Sequence, residues 1–194
     1  MWPTDKPLIG QHVTLEPLST THINALQQAV KDGEAWKLWY ANVPNPDDME
    51  CYVNTAISQA SEGNLAYAVR LNSSNEIVGT TRYYNADTAN RRAMLGYTWY
   101  SDKVRRTAVN TECKFLLLQQ LFEDFDAIAV EFRTHFFNHA SRNAIERLGA
   151  KLDGILRNHQ IGRNGELRDT VVYSIIASEW PTVKQHLLSK LDRE

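Results

Sequence analysis

The sequence predicts a mixed α/β (α+β) fold: a mostly antiparallel sheet of about seven strands, helices on both faces, and a central parallel strand-helix-strand unit. Three observations carry this. Alternating apolar strands joined by short polar turns run from Leu65 to Trp99, which reads as a meander. The strand Arg92 to Trp99 passes through a short loop into an apolar-periodic helix, and a further strand follows at Ile128 to Arg133. A helical crossover of that kind makes the two strands parallel neighbours. Two long strands around a glycine-bearing turn then close the pattern as a hairpin.

Taken in order, the first strand is His12 to Pro17, with Leu18 to Thr21 leading into a helix over about Thr21 to Asp32. Ile23, Leu26, Gln27 and Val30 fall on one stripe of that helix, and Gly33 ends it. Glu34 to Tyr40 reads as a further short helical turn bearing Trp36, Trp39 and Tyr40. Val43 to Pro46 is a loop, and Asp47 or Asp48 caps a second helix reaching about Ser61. Strands Leu65 to Leu71 and Ile77 to Tyr84 meet at the turn Asn72 to Asn75, and Asn85 to Asn90 is another polar turn. After the strand-helix-strand unit, a helix starts at Asn138. The hairpin strands are Lys151 to Ile161 and Arg168 to Ile176, joined at Gly162 to Gly165, and a last helix covers about Ser178 to Leu191.

The 194 residues suit a single domain over residues 1–194, with no internal repeat, linker or low-complexity segment. A net charge of −2 and a pI near 6.3 argue against a nucleic-acid partner, which would call for a strongly basic face. No run approaches the ~20 apolar residues of a membrane helix, so no membrane partner is expected. The start, Met1 to Pro7, lacks the charged-then-apolar design of a secretion signal, so cytoplasmic residence is expected. No metal-ligand set is read among the six histidines, and no metal is expected. Cys51 and Cys113 fall on predicted helices and read as small apolar residues.

The stretch Leu95 to Leu118 says most about function. An aromatic strand runs into Arg105-Arg106 and a helix begins at once. The free amides of a helix N-terminus, backed by its dipole, suit an anion, and arginine forks suit phosphate oxygens. This much says that a phosphate is held on a helix start, without saying which phosphate. About thirty residues on comes the second half, Asn138-His-Ala-Ser-Arg-Asn-Ala-Ile-Glu-Arg-Leu-Gly-Ala150. Together the two segments resemble the GCN5-related N-acetyltransferases, in particular the branch of the ribosomal-protein N-terminal acetyltransferases. Order and spacing follow that family from about Leu8 to about Ser178.

The resemblance implies acetyl-CoA as acyl donor. Its pyrophosphate would sit on the family's Arg/Gln-x-x-Gly-x-Gly/Ala loop, and its pantetheine arm beside the Asn-x-x-Ser helix. The implied cofactor-binding residues are Trp99, Tyr100, Arg105, Arg106, Thr107, Ala108, Val109, Asn110, Thr111, Asn138, Ser141 and Asn143. One departure stands out: the family's loop glycine is Ala108 here, and the following small residue is Asn110. In the resembled fold the two parallel strands splay apart and the acetyl group lies in the gap.

Acyl transfer from a thioester to an amine needs a neutral nucleophile, close reactants, a donor for the oxyanion and a proton or dipole for the thiolate. The resemblance points to backbone amides around Trp99, Tyr100 and Ser101 for the oxyanion. The tyrosine that many members carry as thiolate acid is replaced by Ile145. Ser141 is the acid in its place, or a helix cap, or both. For the base, Glu131 lies opposite the core-facing Ile128, Val130 and Phe132, while His135 follows the strand end with a suitable pKa. Asp169, Glu112 and a water chain are the alternatives. Arg142 is either a contact to the adenosine 3′-phosphate or part of a solvated helix face.

Trp36, Trp39, Tyr40, Tyr84 and Tyr97 are the candidate substrate-binding residues, either as pocket wall or as core. Glu34, Asp47 and Asp48 stand near enough in sequence to attract a cationic amine. The expected activity is N-acetylation of a primary amine, on a protein N-terminus or a small molecule, by direct attack. The alternative is a catalytically silent CoA-binding module of the same fold. A nucleotide hydrolase is disfavoured, since no Gly-Lys-Ser/Thr triplet is present. The aromatic content leaves a homodimer open.

Overall fold

The computed structural model describes residues 5–162 and 164–193. The leader reading at residues 1–4, and residue 163 of the turn expected at 162–165, lie outside the described residues. Eight strands form one sheet: β1 (Leu8–Ile9), β2 (Val13–Pro17), β3 (Leu65–Leu71), β4 (Ile77–Asp87), β5 (Arg92–Tyr100), β6 (Ala129–His135), β7 (Lys151–Ile161) and β8 (Leu167–Ile176). Their order across the sheet is β1-β2-β3-β4-β5-β6-β8-β7. Every pairing is antiparallel except β5 with β6, the parallel pair expected from the helical crossover. The strand beyond the expected seven is β1, which pairs Leu8 with Leu15 and Ile9 with Thr14.

The helices are α1 (Ile23–Lys31), α2 (Met49–Ser58), α3 (Ala108–Gln119), α4 (His139–Arg147) and α5 (Trp180–Leu191). Period-two alternation splits the sheet's side chains between two cores. Tyr67, Val69, Tyr83, Leu95, Val130 and Phe132 pack under Cys113, Leu117 and Leu121 of the α3 region, with Ile145 and Leu187. Ala68, Ile77 and Trp99 pack on the other face, against Leu26 and Val30 of α1 and Met49 and Val53 of α2. Each large side chain so buried contributes roughly 1.5–3 kcal/mol. Trp36 joins this second core, half-buried, so the core reading of that residue holds.

The start of α2 differs in detail from expectation. Asp48 holds the cap position but makes no cap bond. Asn45 does the work, its Oδ1 accepting the N–H groups of Asp47 and Asp48 at 2.8 and 2.9 Å. The β1–β2 corner is fixed from within the molecule. Glu112 of α3 is 5% exposed, and its carboxylate accepts the N–H groups of Gln11, His12 and Val13 at 2.7, 2.7 and 2.8 Å.

Candidate active site

The sheet opens where β5 parts from β6. Their ladder joins Arg92 to Ala129, Ala93 to Val130 and Met94 to Glu131, and then stops. Beyond Met94, β5 remains bonded to β4, and β6 to β8, so one backbone edge of each strand faces the gap. The gap forms a cleft of about 900 Å³ walled by β5, β6, the first turns of α3 and α4, and the loop after α1.

β5 bends into this cleft through a bulge. Its partners on β4 jump from Thr80↔Trp99 to Arg82↔Gly96, so Thr81 faces both Tyr97 and Thr98. Tyr97 carries the strain, with φ at 49°. Gly79 permits the close approach: a Cβ there would stand 2.1 Å from the Trp99 carbonyl oxygen. Gly96 leaves room for the Tyr84 ring, whose Cε1 would lie 2.8 Å from an added Cβ. Below the bulge, the Lys114 ammonium donates to Thr81 Oγ1 at 2.9 Å and Thr98 Oγ1 at 2.7 Å. Lys114 is 5% exposed and burial pulls its pKa down to about 8. Ser101 spends its N–H on the Val78 carbonyl at 2.8 Å. Strand alternation therefore turns the Tyr100 N–H the other way, toward the gap.

At the start of α3, Arg105 pairs with Asp102 at 2.7 Å, and Arg106 takes the left-handed φ of 63°. The residue that a glycine would suit is thus Arg106, two positions before Ala108. Thr107 caps the helix. Its Oγ1 accepts the Val109 N–H at 3.4 Å and donates to the Val104 carbonyl at 2.7 Å. Arg105, Arg106, Thr107 and Asn110 line the cleft. Ala108, Val109 and Thr111 are buried and outside its lining, so at most their backbone faces a ligand.

Across the cleft, Asn138 caps α4 by accepting the Ser141 N–H on Oδ1 at 3.0 Å. The cap is therefore Asn138, and the Ser141 hydroxyl lines the cleft with no hydrogen bond among the described residues. Asn143 and Ile145 also line it. Arg142 does not. Its Nε donates to the Tyr173 hydroxyl and its NH1 to the Phe136 carbonyl, both at 3.2 Å, which corrects both readings of that residue.

The proposed bases fare differently. Glu131 stands outside the cleft lining, its carboxylate held by Arg133 Nε and by Arg92 at 3.6 Å. His135 lines the cleft, and its Nδ1 accepts the Phe137 N–H at 3.1 Å. A neutral imidazole then carries its proton on Nε2, which is buried without a partner. Burial, and then the charge of Arg168, pull the His135 pKa down. Glu112 is spent on the β1–β2 corner, and Asp169 on Arg157 Nε and the Asn158 N–H at 2.5 and 2.7 Å.

Of the substrate aromatics, Tyr40, Tyr84 and Tyr97 line the cleft, and Trp39 borders an adjoining hollow, edge-on to His135 at 4.9 Å. Tyr84 and Tyr97 meet edge to face at 5.2 Å, and burial pushes the Tyr84 hydroxyl up to about 12. Trp36 lines neither hollow. Glu34 pairs with Lys37 at 2.7 Å and Asp48 accepts from Asn45 at 2.5 Å. With Asp47 they stay outside both hollows, so they attract no amine there.

Lys114 and Arg168 line the cleft and were not among the expected residues. A lysine one turn after Asn110, inside the apolar run Cys113 to Leu118, was the available signal for the first. Among the described residues no group of three His, Cys, Asp or Glu side chains gathers to hold a metal.

Residues 12–151 match the family described as an acetyltransferase (GNAT) domain. A Bacillus subtilis (strain 168) protein, provisionally named a ribosomal N-acetyltransferase (YdaF), is 25% identical over 182 residues, 89% of this chain and 95% of its own. A GCN5-related N-acetyltransferase structure from Brucella melitensis superposes with a TM-score of 0.87 at 29% identity, covering 96% of this chain and 86% of that one. An acetyltransferase structure from T. thermophilus, also provisionally so named, gives 0.86 at 30% identity over 98% of this chain and 100% of that one.

Proposed function

The chain belongs to the GNAT acetyltransferase family and is an N-acetyltransferase, and from that premise we propose that it moves the acetyl group of acetyl-CoA to a primary amine by direct attack. The acceptor is a protein N-terminus or a small amine. The name of the Bacillus relative favours the protein. One observation carries the reading: the fork between β5 and β6 joins a helix start to an aromatic hollow.

The residues present fit the donor. The first-turn amides of α3, with Arg106 and Arg105, face the pyrophosphate, and Asn138 and Asn143 face the pantetheine arm. Acetyl-CoA brings an activated thioester, and the chain's residues do the rest. The Tyr100 amide, aimed by the bulge, donates to the carbonyl oxygen as its charge grows. The free Ser141 hydroxyl donates to the departing thiolate. None of the three carboxylate candidates lies in the cleft, and His135 presents a donor, so the amine's proton passes to water in the open cleft. Trp99 shapes the wall from the second core. A second copy of the chain covers the open edge of β7, where Leu152, Ile155 and Leu156 are exposed.

Calorimetric titration of acetyl-CoA tests this reading. Micromolar binding is expected, lost in an Arg105→Ala, Arg106→Ala variant, with turnover on a panel of peptide and small amines. No binding by the parent protein would overturn it.

A further inference from the structure

The acceptor half of the cleft is cationic, and its charge is unspent. Arg168, at the start of β8, lines both the main cleft and the adjoining hollow. It has no carboxylate within 4.0 Å among the described residues, and its Nε is fully enclosed without a hydrogen-bond partner. His135 Nε2, another buried donor without a partner, lines the same two hollows. The Arg82 guanidinium lies over the Tyr97 ring, 4.3 Å from its centre, and among the described residues it donates to the Gln59 amide oxygen at 3.1 Å and pairs with no carboxylate.

The acids nearby are accounted for. Glu131 holds Arg133 and Arg92, and Asp169 turns to Arg157. Glu166 borders only the outer hollow, where it accepts the Asn164 N–H at 3.0 Å. Burial disfavours the Arg168 charge, so an unpaired guanidinium here carries a standing desolvation cost.

A site of this kind repels an ammonium ion and accepts an anion. Resting on the acetyltransferase reading above, we propose that the acceptor is an amine bearing a carboxylate, and that this carboxylate docks on Arg168 with His135 Nε2–H as second donor. The planar guanidinium fork matches a carboxylate in two parallel hydrogen bonds. The same positive field lowers the pKa of the approaching amine, which must be neutral to attack. Two sources supply the chemistry: an acidic side chain near a peptide N-terminus, or the carboxylate of a small amino acid.

The test uses matched pairs: amidated peptides with Asp or Glu against Asn or Gln near the N-terminus, and free amino acids against their amides. Each pair is assayed for kcat/KM and also titrated into CoA-saturated protein, beside Arg168→Gln and Arg168→Lys. The acid form of one pair type is expected to be preferred at least tenfold, as for a hydrogen bond between charged groups. Arg168→Gln should bring that ratio to near one, Arg168→Lys should restore part of it, and acetyl-CoA affinity should not change. The pair type showing the preference identifies the source. Equal binding and turnover of acid and amide by the parent protein would overturn the proposal, as would a preference surviving in Arg168→Gln. Acetyl-CoA titration in the same samples separates this from failure of the acetyltransferase reading.

Discussion

At the residue scale, Glu112 and Cys113 show neighbours on one helix serving different ends. Glu112 accepts from three strand-corner N–H groups at once. Glu112→Ala is expected to cost roughly 2–4 kcal/mol in urea unfolding, because it orphans buried donors. Acetyl-CoA affinity should be unaffected. The Cys113 thiol is raised to about 12 by burial, against about 8.5 in an unfolded chain. The folded state then holds a proton that the unfolded state releases. Its contribution is complete below about pH 8.5 and is lost as pH rises toward 12. Lys114 works in the opposite sense, since its folded pKa of about 8 lies below the ~10.4 of the unfolded chain. Its burial cost is full below pH 8 and fades above it. Stability measured from pH 7 to 11 should therefore fall less in Cys113→Ala than in the parent, and more in Lys114→Met.

Elements set the chemistry by where they end and bend. The β5 bulge rests on the Lys114 ammonium through two threonine hydroxyls. Lys114→Met is expected to melt no lower than the parent at pH 7, since a buried charge is removed. Its kcat should drop at least tenfold as the Tyr100 amide loses its aim. A melting temperature that falls together with kcat would make the lysine merely structural. At α3, Arg106→Gly and Arg106→Ala should both weaken acetyl-CoA binding. Only glycine relaxes the φ of 63°, giving about 1 kcal/mol of stability over alanine in thermal unfolding. These cases also mark how far the sequence could be read. Strand, loop and helix were legible at residues 92–119 because periodicity and helix-start chemistry are local. The bulge was not, because Tyr97 and Thr98 share one partner only once β4 is in register. Alternation set Glu131 opposite Val130 and Phe132, whereas His135, expected after the strand end, is the last residue of β6; what holds each of them comes from Arg92 and from the Phe137 amide, which no alternation reveals.

Across the whole molecule, the sheet has one long open edge. β7 is exposed along nearly its full length, with Leu152 and Ile161 at 55% and 76%. Light scattering is expected to give twice the 22.2 kDa chain mass, falling to one chain in a combined Ile155→Lys, Leu156→Lys variant. The interior seam matters more. With β5 and β6 laced over three residue pairs, the sheet is two plates hinged at one end. Amides along Gly96–Tyr100 and Phe132–His135 that face the opening have no strand to shield them, and should exchange with deuterated solvent faster than those of β3. A donor with an amide-bearing arm, wedged into that opening, acts as the missing strand. Melting should then climb with donor concentration, by about 2.7 kcal/mol at a hundred times its dissociation constant. The rigidity of the molecule is in this sense a property shared with its cosubstrate, taken up when the wedge enters and surrendered when spent CoA departs, once in every catalytic cycle.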